Sequence, residues 1–376
     1  MSTVATERRF PVMAVVMGLA AMVVAGLVIA SLLSANGWNP TALVKFTPED
    51  PQAFEYAEGL LGDVVAAPGL GHDGKFYFSQ AMDPFYLSPE EHAVYLDRPT
   101  YRAQRMLYPT LAGAFGLAGP EFIAWALIGV NILGIGIGTT ITAMLAQDMG
   151  LSAIYGAAFV FNPGVLVSAM IDTAEVLATL FFVLAVLLLH RRKAFAASIA
   201  LTASVLSRET MVIAVIGLVA YLLFRRRKLG WHLILPFAVP GAWWIYLRAR
   251  LGSLTDSVQD TQAVGAPFEG FIGAFQRWIS APIDYPDLIM GVVLMTVAFL
   301  LVARTIKTPR LLGAMVIGFA GIAVLMVEPV WYRYFDSSRV VAPLVTAYVL
   351  LAAPEPMRGD GGLETTTEDL IAEEVL

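Results

Sequence analysis

An all-α polytopic membrane fold, with about ten transmembrane helices and a large first extracytoplasmic loop, is the architecture this sequence predicts. Three observations carry it. Hydrophobic residues make up 58% of the 376-residue chain and charged residues only 14%, far from the balance of a soluble domain. Apolar runs near membrane-spanning length recur from Pro11 to Ala353. Basic clusters then punctuate alternate gaps between the runs: Arg8-Arg9, Arg191-Arg192-Lys193, Arg225-Arg226-Arg227-Lys228 and Arg304/Lys307/Arg310. The positive-inside rule assigns those gaps to the cytoplasm. The other gaps hold Asp73, Asp172 with Glu175, Arg208-Glu209, Glu328, and Asp336 with Arg339, so the unusual polar residues gather on the outer face.

Taken in order, residues 1–33 read as a signal anchor whose first span is about 11–33. Its apolar stretch, Phe10 to Leu33, exceeds the roughly 7–15 residues of a cleavable signal core. The extracytoplasmic loop is 34–120. The bundle, 121–353, begins with spans at about 121–146, 151–170 and 174–190. Residues 194–224 form a hairpin of two short helices with its outer tip at Ser207-Arg208-Glu209-Thr210. Spans at about 231–249, 287–303, 310–328 and 339–353 follow, with an outer loop at about 250–286. Met106 to Gly119 is apolar but too short to cross at 1.5 Å per residue, and reads as a re-entrant or interfacial helix. Gly129, Gly134, Gly136 and Gly138 suit close helix packing.

Charge and cysteine usage narrow the chemistry. Six acids in the last 18 residues (Asp360, Glu364, Glu368, Asp369, Glu373, Glu374) equal the whole net charge of −6, so residues 1–358 are neutral as a set. Residues 354–376 read as a disordered acidic cytoplasmic tail. The absence of cysteine rules out disulfides and thiolate metal sites, and four histidines do not supply a His-rich metal centre. No cofactor and no nucleic-acid partner is implied.

The first loop contains Gly71-His72-Asp73-Gly74-Lys75-Phe76-Tyr77-Phe78, then Asp83-Pro84, then Asp97-Arg98-Pro99-Thr100-Tyr101-Arg102-Ala103-Gln104-Arg105-Met106-Leu107-Tyr108-Pro109. Glycines around an acid let the backbone turn sharply and present the carboxylate. Arg102 and Arg105 share a face if their segment is helical. Guanidinium binds phosphate in bidentate fashion with a permanent charge, so the pair would suit a lipid phosphate. Asp83 before Pro84 reads equally as a turn residue. Asp172 and Glu175 either line a cavity or cap the helix that follows, and Trp331, Tyr332 and Tyr334 read as an interfacial belt.

This motif set after a first span resembles bacterial polytopic proteins of cell-surface glycopolymer formation in the GT-C glycosyltransferase superfamily. The Ser207-Arg208-Glu209-Thr210 tip is similar to that group too, and the likeness covers roughly residues 1–230. It implies a plasma-membrane enzyme with both termini cytoplasmic, an extracytoplasmic active site, a polyprenyl-phosphate sugar donor and a glycan or glycolipid acceptor. Asp73 matches the catalytic acid, acting as general base in an inverting transfer. Arg102, Arg105, Arg208 and Arg339 would stabilise the departing phosphate, with Glu209 beside Arg208 orienting it. His72, Tyr101, Tyr108 and Glu328 complete the substrate-binding expectation.

Two other classes fit the same composition. A lipid-linked glycan transporter or flippase would show internal repeats and midplane charges, neither of which the sequence has. A non-catalytic partner of a glycan-assembly machine would keep the fold without the reaction.

Overall fold

The computed structural model describes residues 11–252, 254 and 264–353, and over them the chain is helical with no named strand. A single antiparallel bridge pairs Val264 with Met326. The basic flank at Arg8-Arg9 and the acidic tail at 354–376 lie outside the described residues.

α1 (Val12–Ser34) leads into the first loop, which is itself helical in short pieces: α2 (Thr41–Val44), α3 (Pro51–Leu61), α4 (Gly74–Met82), α5 (Pro89–His92), α6 (Pro99–Arg102) and α7 (Leu107–Gly113). Proline stands at the start of α3, α5 and α6, where its missing N–H costs nothing and its fixed φ favours the first turn. The apolar segment expected over Met106–Gly119 is α7 followed by a 3₁₀ turn at Gly116–Ala118, far too short to span.

α8 (Pro120–Asp148) is the longest helix and the spine of the bundle, packing α1 on one side. Their contact is a small-residue crossing: α1 buries Gly18, Ala21 and Ala25, and a Cβ on Gly136 of α8 would collide with the Met22 side chain. Gly134 and Gly138 press in the same way on Val176 and Phe159, whereas Gly129 meets nothing within 4 Å and is no packing glycine.

α9 (Ala157–Val160), preceded by a 3₁₀ turn at Ala153–Gly156, and α10 (Pro163–Met170) form an apolar pair bent by 48° at Asn162-Pro163. Proline removes the N–H that the helix would need there, and the Asn162 side chain caps the new start by accepting from the Gly164 N–H at 2.9 Å. Asn162 also donates to the carbonyl of Ala342 at 2.6 Å, tying this bend to the C-terminal helices. α11 (Glu175–His190), α12 (Ala194–Ser207) and α13 (Val212–Phe224) follow, the last two separated by the break at Arg208-Glu209. α14 (Leu235–Leu251) carries Pro240 inside it.

α15 (Glu269–Ser280) is amphipathic and occupies part of the 250–286 segment read as loop. α16 (Tyr285–Lys307), α17 (Leu311–Leu325), α18 (Glu328–Trp331), α19 (Tyr334–Val340) and α20 (Ala342–Ala352) complete the order, with a 65° bend between α19 and α20.

Among the described residues three helices are long and apolar enough to cross a membrane, Val12–Ser34, Pro120–Asp148 and Pro282–Lys307, or five passages if each bent pair counts as one. Four further apolar helices have 10–17 residues: Glu175–His190, Ala194–Ser207, Glu209–Phe224 and Leu311–Leu325. At 1.5 Å per residue they reach at most about 26 Å, short of a hydrocarbon core of roughly 30 Å. The helices are thus those of a membrane protein with three to five full-length passages, fewer than the ten counted from hydropathy runs. The difference is one of helix length: turns at Asn162 and Val341 interrupt what the apolar runs present as continuous, whereas the hairpin over 194–224 breaks at Arg208 as read.

Candidate functional site

Asp73 is placed by a tight backbone junction. It stands at the N-terminal edge of α4, between Gly71 at φ +66° and Gly74. A Cβ on Gly74 would lie 2.6 Å from the Val44 carbonyl oxygen and 2.7 Å from that of Ile171, so only glycine lets the loop sit against both chains. A Cβ on Gly71 would strike the Lys45 carbonyl. This seats Asp73 beside the turn that joins α10 to α11.

Arginines converge on it from three regions of the sequence. Arg102, at the end of α6, donates from Nη1 to Asp73 Oδ1 at 2.9 Å and grips Asp97 with two bonds of 2.8 Å. Arg105 lies beyond α6 and not on a shared helical face, yet its Nη1 comes 3.8 Å from Asp73 Oδ2. Its other nitrogens make two 2.8 Å bonds to Glu209, and Nη2 also donates to the Tyr101 hydroxyl at 2.7 Å. Arg339, in α19, places Nη1 3.5 Å from Asp73 Oδ2 and 3.5 Å from Glu175 Oε1, while its Nη2 holds Asp336 at 2.6 Å. Arg208 pairs with Glu175, so Glu209 orients Arg105 and not its sequence neighbour. The Nε of Arg208 has no hydrogen-bond partner among the described residues.

The first loop is held over this cluster by α14. Trp243 Nε1 donates to the Ala103 carbonyl at 2.9 Å, and Arg250 donates to the carbonyls of Tyr86 and Leu87 at 2.7 and 2.8 Å. Lys75 anchors the other side through Asp50 at 2.7 Å. Such clamps fix both arginine-bearing turns against the bundle.

Five carboxylates (Asp73, Asp97, Glu175, Glu209, Asp336) and four guanidiniums therefore interlock, nearly charge-balanced and mostly removed from water. Asp73 itself keeps 24% of its side chain accessible, whereas Glu175 keeps 1%. Burial opposes ionisation of Asp73, but Arg102, then Arg339, Arg105 and Arg208, outweigh it and hold its carboxyl well below the usual carboxylate range. His72 shifts the other way for its class: burial, then the positive field of Arg339, lowers it. Its ring lies near-parallel to Phe335 at 6.4 Å between centroids.

Not every expected residue joins. Tyr108 is fully buried, donating to the Leu127 carbonyl at 3.0 Å and accepting from Asn131 at 2.8 Å, which makes it a packing residue behind the site. Glu328 begins α18 with its carboxylate against Gly273 of α15, apart from the Asp73 cluster. Asp83 closes a turn by accepting from the Leu87 and Ser88 N–H groups at 2.9 and 2.7 Å. Trp331 is wholly buried, donating to the Ala323 carbonyl, and is no belt residue. Asp172 is also wholly buried, at a φ of +46°, with neither carboxylate oxygen hydrogen-bonded among the described residues. It does not cap α11, whose N-cap position is Ala174.

No family model, curated protein or solved structure matches this chain.

The motif likeness therefore rests on its residues alone, and it left some of the cluster unassigned. Asp97 and Asp336 had no role in that reading, although the spacings Asp97/Arg102 and Asp336/Arg339 bring both pairs within ion-pair reach. From the sequence Glu175 reads only as a lining or capping acid. No spacing rule links Arg339 to Asp73 across 266 residues.

Proposed function

We propose that this protein is a membrane glycosyltransferase that moves a sugar from a polyprenyl-phosphate donor to a glycan or glycolipid acceptor. The observation that supports this best is the contact of one partly accessible carboxylate, Asp73, with Arg102, Arg105 and Arg339. A phosphodiester leaving group needs cationic partners when it leaves water, and a hydroxyl nucleophile needs a proton acceptor beside them.

Without donor, Asp73 is a poor base because the arginines hold its charge so well. A bound phosphate would compete for Arg102 and Arg105, cancel part of that positive field, and raise the basicity of Asp73 toward an ordinary carboxylate. Base strength would thus appear only with donor in place. The acceptor hydroxyl then gives its proton to Asp73, its oxygen forms a bond to the anomeric carbon, and the carbon–oxygen bond to phosphate breaks with its electron pair leaving on the lipid phosphate. Attack opposite the leaving group inverts the anomeric centre.

The proposal includes the ten-crossing topology, with both termini cytoplasmic in a bacterial plasma membrane and the Asp73 face outside. With each bent pair counted as one, the four short apolar helices and α14 would supply the remaining five passages. The test is release of polyprenyl phosphate by the purified full-length protein from a panel of lipid-phosphate sugars. Release above a protein-free control is expected; none from any donor would dismiss the reading.

A further inference from the structure

Beside the arginine cluster is a polar cavity of about 250 Å³ lined by His72, Asp287, Arg333, Tyr334 and Phe335. It shares its walls with the site. His72 adjoins Asp73 in the chain, and Phe335 stands one helical turn before Arg339, which donates to the Phe335 carbonyl at 3.0 Å. Asp287 Oδ1 accepts from the Tyr334 N–H at 2.6 Å and so fixes this wall to α16.

The lining has unused hydrogen-bonding capacity. Among the described residues Arg333 makes no ion pair or side-chain hydrogen bond, neither ring nitrogen of His72 has a partner, and Asp287 Oδ2 is unshared. One cation faces one anion, so the cavity has no net preference for a charged ligand. The paired rings of His72 and Phe335 add an apolar face to this rim of donors and acceptors. An apolar platform with fixed polar groups around it suits a ligand with one C–H face and a ring of hydroxyls. A cavity of about 250 Å³ has room for one pyranose or furanose ring.

We infer that this cavity binds a single neutral sugar residue, the terminal unit of the acceptor, and presents its hydroxyl to Asp73. The inference rests on the glycosyltransferase reading for its name of acceptor, but its test does not need turnover. Saturation-transfer NMR would be recorded on the detergent-solubilised full-length protein with methyl glycosides of glucose, galactose, mannose and arabinose, and with glucuronate as an anionic probe. At least one neutral glycoside should bind, glucuronate should bind no better, and Phe335→Ala and Arg333→Gln should each weaken binding about tenfold, the loss of one well-packed or charge-assisted contact. Arg333 is exposed, so Arg333→Gln keeps the test valid if Phe335→Ala fails to fold. No binding by any neutral glycoside, a preference for glucuronate, or affinity within twofold of wild type in Arg333→Gln would overturn the cavity assignment. Failure of lipid-phosphate release would instead remove the enzyme reading and leave a sugar-binding cavity.

Discussion

Arg102 and Asp73 meet at 2.9 Å, and the same guanidinium holds Asp97 with two further bonds. The arginine is thus shared between a carboxylate that anchors it and one that can be released from it. An anion entering the site competes for the Asp73 bond while Asp97 keeps the guanidinium in position.

Asp73→Asn should therefore abolish sugar transfer, by about 100- to 10,000-fold, because the proton acceptor is lost at nearly constant volume. Insertion and detergent-phase monodispersity should persist. Activity within a few-fold of wild type would assign Asp73 to a structural clasp only.

Arg102, Arg105 and Arg208 should act on donor phosphate. Arg→Lys keeps the charge but loses the bidentate fork, so lysine variants should bind a non-hydrolysable polyprenyl-phosphate analogue less tightly than wild type and more tightly than alanine variants. Arg105→Ala also strands Glu209, and breaking a buried pair costs about 3–5 kcal/mol, so its thermal midpoint should fall as well. Analogue affinity equal to wild type in both Arg102→Ala and Arg105→Ala would make them anchors alone.

Acid should destabilise the protein in two steps. The folded-state values of His72 and Asp73 both lie below their ordinary ones, so the unfolded chain takes up each proton first. Each group's contribution is present above its unfolded pKa and lost as pH falls through the folded one. The first loss should begin below about pH 6.5 and the second below about pH 4, the ordinary histidine and aspartate values. Thermal midpoints measured against pH should show a smaller upper step in His72→Gln and an unchanged one in Asp73→Asn.

Asp172→Asn should be neutral or stabilising. The carboxyl is wholly buried beside Asn131 and Tyr108, and an amide has no charge to desolvate and can donate to the unpartnered Asn131 Oδ1. A large fall in thermal midpoint would show that the acid form makes a bond the amide cannot.

The proposed topology is open to cysteine labelling in this cysteine-free chain. An impermeant maleimide should modify Ser88→Cys in intact cells and Thr366→Cys only after permeabilisation. Labelling of Thr366→Cys in intact cells would reverse the orientation.

Much of this site was legible because intramembrane and loop charges are costly and so few. Asp73, Arg102, Arg105, Arg208, Glu209 and Arg339 stand out in an apolar chain, and the structure brings all six together. Their pairing was not legible. Adjacency favours Glu209 with Arg208, but the break between α12 and α13 turns Arg208 toward Glu175 and Glu209 toward Arg105. The bends were not legible for a related reason: hydropathy measures apolar length alone, so the turns at Asn162 and Val341 fall inside runs that read as single spans. Tyr108 could not be told from a site residue, since a tyrosine beside an arginine-rich motif reads alike whether its hydroxyl faces a ligand or a carbonyl in the core.

The 266-residue reach from Asp73 to Arg339 has a bearing on biosynthesis. A chain still emerging from the ribosome possesses the acid and the loop arginines long before α19 exists. Until the final two helices insert, Asp73 and Glu175 lack the guanidinium that joins them, and the wall bearing Tyr334 and Phe335 is missing. A product truncated before residue 330 would lack Arg339 and this wall, so the charge cluster is complete only once α19 has been made.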